Sequence, residues 1–394
     1  MRKTKTLEII GVLSLSFILT SAMAVSGGIP AMIEEFSNYS RSSVELLLSV
    51  TSFSMMTMII LSPIIAKHLP ERVIITIGLL IYAITGVLPV FIHSYPLLFV
   101  LRVIFGLGTG LVNAKAITMV GERFSGDLQQ TLQGIRCSME TLGQTILTLI
   151  AGRLLKFGWN YAFLIYGVAL IILILFLAFV PEKKQEVKTA AFETPKKIKL
   201  YESDYLLIIG NALLGYLMVS TNVSLALRIP SYLIEIGIGT AADGATIMGI
   251  STFAGFIAGI LFGALTEKLG IYLLPCSLGI GVIGLLIIIK GGHPAFTAAG
   301  AAMVGFCVTC VTSKVFGSLP EQLHPDALAT ANACVLVGCN LGSFTAPFVL
   351  RLIDRINPSL ETCFYAYLIV YTLLIIGFVL RQMIIRNQRI IRNI

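Results

Sequence analysis

The sequence has 394 residues, of which 56% are hydrophobic and 12% are charged, and its formal net charge is +8. An ordinary soluble domain carries about 25% charged residues, so this composition excludes a soluble enzyme, a disordered chain and a disulfide scaffold. The basic residues gather at the two ends and in one mid-chain stretch. That distribution indicates membrane topology and argues against nucleic-acid binding.

Twelve apolar runs predict twelve membrane-spanning helices, because about 20 apolar residues are needed to cross a bilayer. The runs cover residues 7–31, 43–66, 73–93, 96–120, 131–153, 160–180, 205–229, 244–266, 271–290, 295–319, 327–350 and 362–381. The first run begins like a secretory signal, but it continues to Ile33 and is too long for one. We therefore predict an all-α membrane protein.

The polar stretch in the middle of the chain separates six runs from six. It carries six lysines and cannot enter lipid. We predict an N-terminal six-helix bundle over 1–181, a cytosolic linker over 182–204 and a C-terminal six-helix bundle with a short basic tail over 205–394. Loops on the side of the two termini hold most of the Lys and Arg residues, so both termini are predicted to be cytosolic in a bacterial cell membrane.

The second half repeats the first at an offset near 200 residues. Matching positions are Ile29-Pro30 with Ile229-Pro230, Lys67 with Lys268, Gly106 with Gly305, Lys115 with Lys314, Glu122 with Glu321, and Gly143 with Gly342. Several matches in one register are not expected by chance in two unrelated segments. We therefore predict two copies of one six-helix bundle, related by pseudo-symmetry.

The loop after the eighth run resembles a motif of the major facilitator superfamily of secondary transporters. That family carries a G-x-L-x-D-R-x-G-R-like loop, and this sequence has Gly263, Leu265, Glu267, Lys268 and Gly270. The copy after the second run has lost its acid and both glycines and keeps Lys67, with Arg72 following it. The resemblance covers the whole chain and implies alternating access around a central site. It also implies that these loops latch the halves onto acids, here Glu122 and Glu321.

The fifth run departs from the motif of the family's antiporters, G-x-x-x-G-P-x-x-G-G. Gly143 and Gly152 match it, but Leu147 and Thr148 replace the Gly-Pro pair. This departure weakens the alternative function, a proton-coupled multidrug efflux antiporter.

A polar stripe in the fifth run is the strongest candidate for proton coupling. Arg136, Glu140 and Gln144 are spaced at i, i+4 and i+8, which places them on one face of a helix. Such a face must contact protein or water, because charges in lipid are costly. We predict that Glu140 carries the coupling proton. The alternative is a structural Arg136–Glu140 pair that holds helices together.

Basic residues inside the spans outnumber acids, which favours an anionic substrate. Lys115 and Lys314 occupy equivalent positions and are predicted to bind its negative group across one cavity. Arg102, which begins an element similar to the family's R-x-x-Q-G, is a further candidate, and so are Asn113, Tyr216, Ser220 and Asn222. Two alternatives stay open: Arg102 ties helix ends together, or Lys115 turns away from the Arg102 and Asn113 stripe and pairs with Glu140.

The sequence thus predicts a secondary transporter of a small organic solute, preferably an anion, driven by protons or by exchange. No catalytic constellation, nucleotide-binding loop or metal-ligand cluster is visible, so we expect no enzyme activity, no cofactor and no metal. The expected partners are a small-molecule substrate and the lipid bilayer, and the expected state is a monomer.

Overall fold

A computed structural model describes residues 2–66, 68–124, 127–181 and 202–392. Within these ranges the regular secondary structure is helical and contains no strand, which confirms the predicted all-α class. The linker predicted at 182–204 lies almost entirely outside the described residues, with the seventh span beginning at Glu202.

The N-terminal half contains seven α-helices. They are α1 (Arg2–Ser14), α2 (Ile29–Glu35), α3 (Arg41–Ile65), α4 (Glu71–Val87), α5 (Tyr95–Arg123), α6 (Asp127–Leu154) and α7 (Val168–Phe179). Short 3-10 turns link α1 to α2 at Leu15–Ile18, Ser21–Met23 and Ser26–Gly28, extend α4 at Leu88–Phe91 and α6 at Leu155–Phe157, and precede α7 at Asn160–Gly167. The first span is therefore broken, and its two parts bend by 44°.

The C-terminal half also contains seven α-helices. They are α8 (Glu202–Glu235), α9 (Ala241–Leu269), α10 (Leu273–Lys290), α11 (Pro294–Gly317), α12 (Leu319–Gln322), α13 (Pro325–Ile356) and α14 (Thr362–Arg392), with a 3-10 turn at Gly270–Tyr272. Here the first span, α8, runs unbroken through Pro230. The proline equivalent to Pro30 of α2 thus lies inside a helix in one half and at a helix start in the other.

Nine of the described helical segments are long and apolar enough to span a membrane, or ten if the bent α1–α2 pair counts as one span. The continuous run over α9 and α10 counts once in that number, and α6 is not included. When α1 and α2 are counted together, and the short α12 is counted with α11, the described helices form twelve helical segments, six in each half.

Local sequence signals explain several helix starts. Ser40 caps α3 by accepting a hydrogen bond from the Ser43 amide at 3.2 Å. Thr240 and Asp243 form a reciprocal capping box at the start of α9. Both halves thus begin their second span with a side chain that satisfies the free amides of the first turn.

Equivalent glycines make equivalent helix contacts in the two halves, which supports the predicted internal repeat. A Cβ atom at Gly106 of α5 would lie 2.5 Å from the Thr51 carbonyl of α3, and one at Gly305 of α11 would lie against the Ser251 carbonyl of α9. Gly143 approaches the Phe17 carbonyl and Gly342 approaches the Tyr216 carbonyl in the same way. Glycine at these positions allows close packing of helix backbones.

The two halves meet along α3 with α13 and α6 with α9. The contacts between side chains cluster where α3 begins and α13 ends, and we call this the sealed end. There Gly152 lies against Ala245, and nearer the middle of α3 and α13 the Ser52 and Ser343 hydroxyls hydrogen-bond at 2.6 Å. The opposite end holds the start of α1 and the last turn of α14, and we call it the terminal end.

Candidate functional site

The predicted polar stripe of α6 faces the interior of the protein. Arg136, Glu140 and Gln144 are half-buried on one side of the helix. The isoleucines of a neighbouring side, Ile135, Ile146 and Ile150, are exposed, as expected for a surface in contact with lipid. The sealed-end part of α6 packs against α9 of the other half, with Leu149 contacting Gly249. Leu149 lies about 140° to 180° around the helix from Gln144 and Glu140, whereas Gly143, beside the stripe, contacts Phe17 of the first span. The stripe therefore faces the first span of its own half.

Glu140 forms an ion pair within this stripe. Its Oε2 accepts a hydrogen bond from Arg136 Nη1 at 3.1 Å, and 22% of its side chain is exposed against 13% for Arg136. Arg136 also donates to the Cys137 sulfur at 3.3 Å. The stripe is thus polar and partly open, and a charge pair in such surroundings responds strongly to the loss or gain of a proton.

Arg102 is buried inside the N-terminal half. It is 1% exposed, and it donates to the carbonyls of Leu47 at 3.2 Å and Ala22 at 3.1 Å. The rings of Phe105, Phe163 and Tyr166 surround its guanidinium at 5.0, 5.2 and 5.5 Å. Its Nη1 is buried and has no hydrogen-bond partner among the described residues. This placement fits the alternative in which Arg102 ties helices together, because the groups it contacts come from several helices of one half.

Lys115 lies on the side of α5 that faces α4. Gly108 and Leu111 of α5 contact Gly78 of α4, and Lys115 follows them by seven and four residues, on the same helix face. Glu140 pairs with Arg136 on its own helix, so the described residues do not form the predicted Lys115–Glu140 alternative. Asn113 lies on another face, where it donates to the sulfur of Met55 at 3.6 Å.

Lys314 repeats this arrangement in the C-terminal half. It follows Cys307 by seven residues, and the Cys307 sulfur lies 2.9 Å from where a Gly281 Cβ of α10 would be. Both lysines are half-buried. The repeat thus places the two lysines at equivalent positions of α5 and α11, and their joint binding of a substrate stays a prediction.

The polar residues of α8 are divided between packing and open positions. Ser220 is buried and hydrogen-bonds the Tyr367 hydroxyl at 3.2 Å, while the Tyr216 hydroxyl hydrogen-bonds Thr345 at 2.9 Å. Asn222 is half-buried. These contacts tie α8 to α13 and α14.

The predicted latches stay a prediction, because the structure describes only part of each. Gly263, Glu267, Lys268 and Gly270 are exposed at the end of α9, and Gly270 adopts a φ of 49°. Arg72 donates to the Leu177 carbonyl of its own half at 2.8 Å. Lys67 lies outside the described residues, and so do the side chains of Glu122 and Glu321.

Two charge clusters were not predicted from the sequence. At the terminal end, Arg123 forms ion pairs with Glu8 at 2.8 Å and Glu71 at 2.6 Å, which join the starts of α1 and α4 to the end of α5. Burial lowers the pKa of Arg123, but the hydrogen bonds and charges of the two carboxylates outweigh it and raise that pKa above its ordinary value. This arginine therefore stays charged at any physiological pH.

The second unpredicted cluster joins the two halves at the sealed end. Arg228 of α8 donates to both carboxylate oxygens of Asp354 of α13, at 3.1 and 2.7 Å. Its Nε also lies 3.0 Å from Oε1 of Glu45, which belongs to α3 of the other half. The Arg228 and Glu45 side chains are 1% and 0% exposed. The sequence signal was present, since all three are charges near span ends, but nothing in it indicates which ends meet.

Two six-helix bundles, a lipid-facing apolar surface and a half-buried polar stripe within α6 define a multi-pass membrane protein with the architecture of a secondary transporter. A family model, the Major Facilitator Superfamily, matches residues 11–347. The chain belongs to this superfamily and is one of its membrane transporters. None of the curated protein sequences compared matches the chain.

Three solved structures share the fold at low sequence identity. The chain is similar to a D-xylose-proton symporter with 18% identity and a TM-score of 0.71, over 94% of this chain and 96% of that one. It is similar to the nucleoside transporter NupG with 14% identity and a TM-score of 0.73, over 95% of this chain and 98% of that one. It is also similar to a peptide transporter POT in complex with alafosfalin, with 14% identity and a TM-score of 0.75, over 96% of this chain and 94% of that one. Identities this low show the common fold alone.

Proposed function

We propose that this transporter carries a small organic anion together with a proton, and that the Arg136–Glu140 pair is where the two bind. The observation that carries the proposal is the half-buried charged stripe of α6, which lies beside an exposed apolar side of the same helix. A charged pair within a membrane span is costly and is usually functional.

The pair supplies both a proton-binding group and an anion-binding group. With Glu140 ionised, Arg136 is neutralised by its own neighbour at 3.1 Å. When Glu140 takes up a proton, its negative charge beside the guanidinium is removed, which favours a charge-assisted hydrogen bond from Arg136 to a carboxylate or phosphate of the substrate. Proton and anion then enter as a neutral pair, and each favours binding of the other.

Alternating access follows from the placement of contacts between the halves. These cluster at the sealed end, which we assign to the outside of the cell, while the terminal end with both chain ends is assigned to the cytosol. Rocking of one six-helix bundle against the other would exchange access to the α6 stripe between the two sides.

The decisive experiment compares Glu140→Gln with the wild-type protein in proteoliposomes. We expect the variant to lose pH-driven accumulation of substrate while it keeps counterflow exchange, because it can no longer lose a proton. Glu34→Gln, which changes an exposed carboxylate on α2, is the matched control and should behave like wild type. Normal pH-driven accumulation by Glu140→Gln would refute the coupling role.

The substrate class is tested by thermal-shift screening of the purified protein, since a ligand of the folded state raises its melting temperature. Small organic anions should stabilise the protein and cationic drugs should not. Arg136→Gln should lose the response, whereas Arg153→Gln, on the exposed side of the same helix, should keep it. Stabilisation by cationic drugs alone would favour a multidrug antiporter.

The paired lysines form a separate part of the proposal, supported by their equivalent placement in the repeat. If Lys115 and Lys314 jointly bind the anion, Lys314→Ala should weaken binding by well over tenfold, since truncating one partner of a desolvated charge pair costs roughly 2 to 5 kcal/mol. A binding titration on folded Lys314→Ala measures this. Unchanged affinity would leave Arg136 as the anion site.

A further inference from the structure

The carboxylate of Glu45 is buried without a hydrogen bond. It lies on the first turns of α3, is fully buried, and neither of its oxygens has a hydrogen-bond partner among the described residues. Arg228 Nε is 3.0 Å from Oε1, but its N–H does not point at that oxygen. An ionised carboxylate in such a place has exchanged its hydration shell for contacts that do not replace it.

The cation nearest to Glu45 is already occupied by another acid. Both terminal nitrogens of Arg228 donate to Asp354 in a bidentate pair, the strongest geometry available to an arginine. Glu45 is therefore a second carboxylate beside one guanidinium. Attraction in a buried ion pair repays the cost of desolvation only where the geometry is good and the remaining lone pairs are satisfied.

The other groups around Glu45 do not supply the missing hydrogen bonds. Arg41, one helical turn earlier on α3, contributes positive charge, but its buried Nη1 makes no hydrogen bond among the described residues. Cys363 of α14 lies near the cluster, and its thiol donates to the Leu360 carbonyl at 3.1 Å. The two arginines therefore attract the Glu45 carboxylate by charge, but neither is aligned to donate a hydrogen bond to it.

The burial of Glu45 depends on the position of the two halves. Its ion-pair neighbours Arg228 and Asp354 both belong to the C-terminal half, whereas Glu45 belongs to the N-terminal half. When the halves separate at the sealed end, water reaches the carboxylate and restores its hydration. Closure and protonation of Glu45 are then thermodynamically linked, because closure penalises the ionised form more than the neutral form.

We propose that Glu45 is a proton-binding site created by closure of the sealed end, so that acid on that side favours the closed arrangement of the two halves. The site goes beyond the proposed function, because it needs no substrate and does not involve Glu140. This pH dependence is opposite in direction to that expected if a Glu45–Arg228 ion pair held the halves together, because acid would then remove the Glu45 charge and allow the halves to separate.

The experiment measures the distance between spin labels across the sealed end in the absence of substrate. Labels are attached at Ser37→Cys and Arg355→Cys, two exposed positions on opposite halves, in a variant whose accessible native cysteines are serine. The accessible cysteines are Cys137, Cys276, Cys334 and Cys339. We expect the short-distance population to grow as pH falls, by at most about tenfold per pH unit, because one proton is taken up.

Three variants separate the possible outcomes. Glu45→Gln imitates the protonated form, so its short-distance population should dominate at every pH. Asp354→Asn removes the acid that competes with Glu45 for the Arg228 guanidinium. Arg228 can then stabilise ionised Glu45 in the closed arrangement, so the pH response should weaken. Glu35→Gln is the control, because its carboxylate also lies near the sealed end but contacts His93 and Trp159 of its own half. It should keep the wild-type response.

Two results would overturn the proposal. A longer distance in Glu45→Gln would mean that the ion pair holds the halves together, and an unchanged pH response in that variant would assign the titration to another group. An unchanged pH response in Asp354→Asn would contradict the proposal that Asp354 keeps the Arg228 guanidinium from pairing with Glu45. Because the labels report closure and not transport, none of these results bears on the role of Glu140.

Discussion

Two buried arginines, Arg102 and Arg228, are equally shielded from solvent and are held in opposite ways. Arg102 lies within one half, among carbonyl groups and aromatic rings that carry no net charge. Arg228 lies between the halves and is held by carboxylates, one from its own half and one from the other. Each is 1% exposed, so burial alone does not distinguish them.

The difference separates the rigid and the mobile parts of the molecule. Neutral acceptors and rings bind Arg102 in a manner that pH does not change, and this suits the interior of a bundle that moves as one body. Carboxylates at a seam make the strength of the contact depend on protonation. Changes around Arg102 should therefore affect unfolding, and changes around Arg228 should affect closure of the sealed end.

The largest effect is expected from Arg228→Met. Removal of the guanidinium leaves the Asp354 carboxylate without its bidentate partner and takes away the cation nearest to Glu45, at a cost of about 3 to 5 kcal/mol to the closed arrangement. Spin-label distances across the sealed end should lengthen at neutral pH. Adding Glu45→Gln and Asp354→Asn to the same variant should restore the short distance. If the triple variant stays open, loss of packing and not unpaired charge explains the effect.

Arg102→Met should act on stability. The change removes two hydrogen bonds to carbonyls and three ring contacts, so we expect a loss of about 2 to 3 kcal/mol in the free energy of unfolding. Thermal unfolding in detergent measures it. Arg153→Met, at an exposed position of α6, is the control and should change stability by less than about 0.5 kcal/mol. An altered sealed-end distance without a lower melting temperature would break the distinction between the two arginines.

Glycine to alanine changes sharpen the same contrast. In Gly106→Ala the new methyl group meets the Thr51 carbonyl inside the N-terminal half, and in Gly152→Ala it meets Ala245 of the other half at 2.8 Å. Overpacking costs about 1 to 3 kcal/mol. We expect Gly106→Ala to lower the melting temperature and Gly152→Ala to lengthen the sealed-end distance. The reverse assignment would contradict the division into two rigid bodies.

The smallest effects are expected at two serine hydroxyls. Ser21 hydrogen-bonds Tyr82 within the N-terminal half at 2.5 Å, and Ser52 hydrogen-bonds Ser343 across the seam at 2.6 Å. Each bond contributes about 1 kcal/mol. Ser21→Ala should lower the melting temperature slightly, and Ser52→Ala should shift the distance distribution with little change in melting. Equal effects of both changes on melting would show that the seam unfolds together with the bundle.

The sequence was most informative where periodicity decides the structure. The spacing of Arg136, Glu140 and Gln144 predicted one face of a helix, and that face is half-buried beside the exposed isoleucines. The internal repeat predicted equivalent surroundings for Gly106 and Gly305, and they have them. Both features depend on short-range geometry along one helix, which the order of residues specifies directly.

The sequence could not indicate contacts that depend on which helix ends meet. Glu45 and Arg228 resemble ordinary charges near span ends, and only the docking of α3 beside α8 and α13 buries them together. Arg102 was predicted to bind substrate because a charge inside a span is usually functional. Its aromatic partners Phe163 and Tyr166 come from a different span, and pairing between spans is not encoded in either one.

The polarity of α6 has a consequence for how the chain enters the membrane. A charged residue at the centre of a helix adds about 2.5 to 3.5 kcal/mol to the free energy of insertion, and α6 carries two of them in its polar stripe. This helix is absent from the segments apolar enough to span alone. During biosynthesis α6 should therefore leave the translocon together with a neighbour, and the close approach of Gly143 to Phe17 identifies the first span as that partner.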